Sequence, residues 1–66
     1  MAEHDAALAA LEMAIQTEID GYSFYKKFAA ETEDPDARVM FERLAQDEVM
    51  HLELLRGVKA KLKDHG

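Results

Sequence analysis

Three ionisable residues, Glu18, Glu48 and His51, stand where the hydrophobic pattern of the chain calls for hydrocarbon. Leu8, Leu11, Ile15, Glu18, Tyr22, Tyr25 and Ala29 succeed one another at spacings of three and four, which marks one stripe along a helix. Ala37, Phe41, Leu44, Glu48, His51, Leu55, Val58 and Leu62 form a second stripe of the same kind. Burying an unpaired carboxylate costs several kcal/mol, so three interruptions in so short a chain call for a shared explanation. Glu48 and His51 form a Glu-x-x-His pair, which projects both side chains from one helical face. With a further carboxylate opposite, they offer mixed oxygen and nitrogen ligation to a divalent cation, a donor set suited to iron or manganese and open to zinc. The competing reading is a buried ion pair between Glu18 and a protonated His51, which leaves Glu48 without a partner.

The elements that must hold these groups are two helices and one turn. In "TEDPDAR", Asp34 can cap a helix, Pro35 suits its first position, and Asp36 complements the positive end of its dipole. The pattern predicts an all-α hairpin, with helix 1 over about 5–31, a turn at 32–34 and helix 2 over about 35–63. Glu18 lies about 15 residues before the turn, and Glu48 and His51 about 15 to 17 after it, so antiparallel pairing brings all three to one height. Beside the first stripe, Ala7, Ala10, Ala14, Thr17 and Gly21 form a flank of small side chains that lets a neighbouring helix approach, and Phe24 and Phe28 continue it.

Two antiparallel helices cannot enclose a core, but two such hairpins make a four-helix bundle about a two-fold axis. If their turns lie at opposite ends, only mid-height groups of the two chains meet. The dimer then focuses Glu18, Glu48 and His51 from each copy on one spot, and two divalent metals remove the repulsion among its carboxylates. Composition agrees with a small unit of this kind. A chain of 66 residues without cysteine has no disulfide to compensate for its limited core, so it is expected to rely on a metal, a second copy, or both. With 14 acidic against 8 basic side chains and a net charge of −6, nucleic acid and anionic membranes are excluded as natural partners, and cations are favoured. "MAEHDAALAALEMAI" has neither the basic leader of a signal peptide nor the uninterrupted apolar run of a membrane span, so a cytoplasmic address is expected.

Over about Leu8 to Val58, "AIQTEIDGYSFYKKFAAET" followed by "DPDARVMFERLAQDEVMHLELL" resembles the rubrerythrin branch of the ferritin-like superfamily. The match covers an E-x-x-x-Y-x-x-Y pattern, an acidic-Pro turn and F-x-x-L-A-x-D-E-x-x-H. It corresponds to one of the two halves that make up the family's four-helix domain. The resemblance implies a non-haem di-iron site with Glu18, Glu48 and His51 as ligands, two iron ions per homodimer or higher even oligomer, and Tyr25 beside them as the catalytic tyrosine. It further implies reaction with peroxide or dioxygen, or oxidation of iron(II). The chain has no C-x-x-C pair for a rubredoxin-type centre, so electrons are expected from an external donor, and Gly21 stands where one half of rubrerythrin places an additional glutamate. Asp47 reads equally as a solvated residue and as an acceptor for the second nitrogen of His51 across the dimer. Tyr22 reads as a core aromatic, and His4, His65, Glu31, Glu33 and Glu53 as solvent-facing. The rival to the metal reading is a structural assembly module whose polar residues fix the register of the helices.

Overall fold

A computed structural model describes the backbone of residues 2–65 and the side chains of residues 5–64; the solvent-facing reading of His4 and His65 lies outside those side chains. Helix α1 spans Ala2–Glu31 and α2 spans Pro35–His65. Each runs two or three residues beyond the expected outer end. Asp5 in the first turn of α1 suits its positive end, and Lys61 and Lys63 near the close of α2 suit its negative one.

The turn is set by side chains rather than by a left-handed glycine, since no described residue has positive φ. Thr32 N–H donates to the carbonyl of Phe28 at 3.0 Å and closes α1. The Thr32 hydroxyl accepts from Asp34 N–H at 3.2 Å, and the Asp34 carboxylate accepts from Asp36 N–H at 3.0 Å, which is the N-cap expected of it. Helices leave their last carbonyls without internal partners. Here Arg38, one turn into α2, reaches back and donates to the carbonyls of Ala29 at 3.2 Å and Thr32 at 2.6 Å. The guanidinium therefore caps α1 and clamps the two helices together beside the turn. At the far end, Lys59 and Glu12 pair at 3.4 Å.

Packing between the helices leaves a rod of 50 × 15 × 11 Å whose radius of gyration is 15.2 Å, against about 11 Å for a compact chain of this length. Its accessible surface is 5075 Å², against about 4,200 Å² for a compact monomer of this mass. Among the described residues only Ala29, Ala45 and Leu52 are buried hydrophobics. Large apolar side chains are left in solvent, including Met13, Phe24, Met40, Leu54 and Val58. Many of them share one side of the hairpin. Met13, Thr17, Gly21, Phe24 and Phe28 follow helical spacing on α1, as do Met40, Leu44, His51, Leu54, Val58 and Leu62 on α2. Phe28 of the first row lies 5.7 Å from Phe41, ring to ring, and the Glu48 carboxylate, which passes over Gly21 of the first row, belongs to a residue one turn from both Leu44 and His51 of the second. No described helix is long and apolar enough to cross a membrane.

Candidate metal centre

Antiparallel pairing brings Glu18, Glu48 and His51 together at mid-height, as the counting from the turn predicts. Nδ1 of His51 lies 3.2 Å from Oε2 of Glu18 and 3.7 Å from Oε1 of Glu48. One donor atom from each of the three falls within 4.8 Å of the others. Two donors on the same ion, each at about 2.1 Å, are at most about 4.2 Å apart, so small side-chain rotations close this group to coordination distance. The expectation that all three sit on a buried side needs correction for the single hairpin. The Glu18 and Glu48 side chains are 25% and 16% exposed, but that of His51 is 54% exposed. Two helices cover only one side of each other, and His51 lies at the margin of that contact, on the apolar side described above.

The two carboxyls influence each other through a shared hydrogen bond. That bond holds Glu18 below the usual carboxylate range, and the neighbouring His51 lowers it further against the opposing effect of partial burial. The same bond pushes Glu48 upward, with desolvation and the charge of Glu18 acting in the same direction. The two shifts are opposed, so Glu48 is the member of the pair that takes up a proton first as pH falls, the expected behaviour of two acids crowded together without a cation. Both shifts carry a sign for stability. The raised Glu48 contributes stability that is complete below its ordinary value of 4.5 and is lost as pH rises through its folded value. The lowered Glu18 contributes above 4.5 and loses its contribution as pH falls through its folded value. A divalent cation would relieve the crowding of the two carboxyls. Two oxygen donors and one imidazole nitrogen fit a hard or borderline metal.

Tyr25 lies two turns along α1 from Glu18 and belongs to an aromatic cluster. Its ring stacks on Phe41 at 6.3 Å and meets Phe24 edge-on at 5.6 Å. Tyr22 is half-buried and Asp47 is exposed, adding its charge to those that raise Glu48. By spacing alone Gly21 is expected to admit a neighbouring helix. Within the hairpin itself it makes room for Glu48: a Cβ on Gly21 would lie 2.9 Å from Oε2 of that residue. The signal available in the sequence was its position three residues after Glu18, on the same face of α1.

A hairpin with a glutamate at the middle of one helix, opposite Glu-x-x-His on the next, has the arrangement of one half of a ferritin-like four-helix domain. The family model described as Rubrerythrin matches residues 3–64, so nearly the whole chain belongs to the rubrerythrin family, one of iron-binding carboxylate proteins. No curated protein and no solved structure gives a significant match to the chain.

Proposed function

We propose that two copies of this chain form a four-helix bundle holding two iron ions between them, and that the reduced centre reacts with peroxide or dioxygen. The observation that carries this reading is the convergence of Glu18, Glu48 and His51 at mid-height, with His51 at the margin that opens onto the side where apolar side chains are exposed. A second copy placed there covers those side chains and brings its own three donors to the first set. Manganese and zinc are substitutes the donor set would also accept.

When bound, the two ions supply the two electrons that peroxide needs to become two waters, with two protons taken from solvent and reducing equivalents restored by an external donor. The chain's own groups do the rest. His51 presents Nδ1 to the centre and leaves Nε2 for an acceptor, which Asp47 of a second copy would provide. Glu48 serves as an anionic ligand, and a proton taken up at low pH would have to leave before metal binds. Glu18, the lowered member of the pair, holds its charge at mid-bundle, and Tyr25, two turns along α1 in the aromatic cluster, is the residue to which the resemblance assigns donation of a hydrogen bond or an electron. The related outcome, oxidation and storage of iron(II) itself, uses the same residues.

Stopped-flow mixing of the anaerobic iron(II) protein with hydrogen peroxide tests this chemistry. The expected result is oxidation faster than that of unligated iron(II), with the absorption of a carboxylate-bridged diferric centre growing in. Traces that match free iron(II) would reduce the role of the site to binding.

A further inference from the structure

Glycine within a helix is disfavoured relative to alanine, and this chain places Gly21 and Gly57 inside α1 and α2. Their surroundings differ. A Cβ at Gly57 would meet nothing within 4 Å, whereas one at Gly21 would lie 2.9 Å from Oε2, 3.5 Å from Cδ and 3.9 Å from Cγ of Glu48. Neither position has the positive φ that would itself demand glycine. What Gly21 provides is space. Glu18 stands one turn before it on the same face, so the Glu48 carboxylate lies along α1 with Oε2 over Gly21 and Oε1 toward Nδ1 of His51, 3.7 Å away.

We propose that Gly21 is a positioning residue of the metal centre: its missing side chain lets the Glu48 carboxylate lie against α1, beside Glu18 and His51, in the orientation that joins the ligand group. This rests on the metal-centre reading above. A methyl group at position 21 pushes Oε2 away from α1. The displaced atoms are the far end of a flexible side chain, so the hairpin accommodates the methyl while the carboxylate is turned from its place. The effect of a side chain at this position therefore falls on ligation and not on folding.

Cobalt(II) is a suitable probe, because its visible bands report coordination geometry as well as occupancy. Parent, Gly21→Ala and Gly57→Ala proteins are titrated with cobalt(II) against a competing chelator. Each is also melted without metal and sized by sedimentation. Gly57→Ala makes the same change in helix propensity at a position without contacts, and is expected to bind as the parent does. Gly21→Ala is expected to melt no lower than the parent, to keep its oligomeric state, and to bind cobalt(II) about 10- to 100-fold more weakly with altered bands, the range found when a support of a ligand is removed. Parental affinity and bands in Gly21→Ala would overturn the proposal. So would loss of association together with binding, since the glycine would then serve packing between chains. A folded parent that takes up no cobalt(II) fails differently: it removes the metal centre itself, and the role of Gly21 with it.

Discussion

Glu48→Gln is expected to abolish tight iron(II) binding while leaving the metal-free protein folded and as stable as the parent near neutral pH. The hydrogen bond with Glu18, desolvation and the charge of Glu18 all raise Glu48, so its neutral form costs the metal-free site less than that of an ordinary carboxyl. Glutamine reproduces the shape and neutrality of that form, and it can still donate to the Glu18 carboxylate. It cannot become the anionic ligand that metal requires. Losing an outer support of a ligand typically costs about 10- to 100-fold in affinity, so loss of the ligand itself should exceed about 100-fold. The parent should also lose metal as pH falls through the raised Glu48 value, because a proton then competes for the ligand oxygen. That pH dependence should flatten in the variant. Chelator competition and thermal melts, each with and without iron(II) under argon, measure all of this. Under the rival reading, in which Glu18 and His51 form only an ion pair that fixes register, iron(II) shifts neither melt and the two proteins stay alike.

Val58→Asp is expected to separate the two copies. Val58 is 48% exposed in the single hairpin and lies one heptad from His51, on the side with Met40, Phe24 and Leu54. At a surface facing only water the substitution changes stability by no more than about 0.5 kcal/mol. At an interface it places a carboxylate from each copy among apolar side chains, costing several kcal/mol, and each 1.4 kcal/mol weakens association tenfold. The dimer dissociation constant should therefore rise by at least about 100-fold, and iron(II) binding should fall with it because each half site lacks its complement. Sedimentation across a micromolar concentration series measures the first effect. A parent that stays folded as a monomer at those concentrations, with Val58→Asp unchanged from it, would show that the exposed apolar side has another use.

The parts of this structure legible from sequence alone are those written in spacing and local chemistry. The three-and-four stripes specify two helices, and Asp34, Pro35 and Asp36 mark the start of the second through groups only a few residues apart. Glu18, Glu48 and His51 stand out because each interrupts an apolar row, and counting from the turn puts them at one height without knowledge of any side-chain conformation. Three features depend on conformation and were not legible. Arg38 reaches Ala29 and Thr32 only because a long, flexible side chain settles across the turn. The 2.9 Å approach to a Cβ at Gly21 depends on how the Glu48 side chain turns along α1. The exposure of His51 depends on where the contact between two helices ends, and a stripe assigned from spacing does not show how wide that contact is.

The central claim is that one hairpin supplies half of a two-metal centre, and the number of metals per assembled particle tests it most directly. Protein loaded with iron(II) under anaerobic conditions, freed of excess metal and sized by sedimentation, is analysed for iron per chain. Magnetic measurement on the oxidised sample then reports whether the ions are coupled. The account predicts one iron per chain in a dimer or an even multiple of it, with the two ions about 3.5–4 Å apart and antiferromagnetically coupled. One uncoupled iron per folded monomer, or iron content unchanged when Glu18 and Glu48 are both replaced by glutamine, would contradict it.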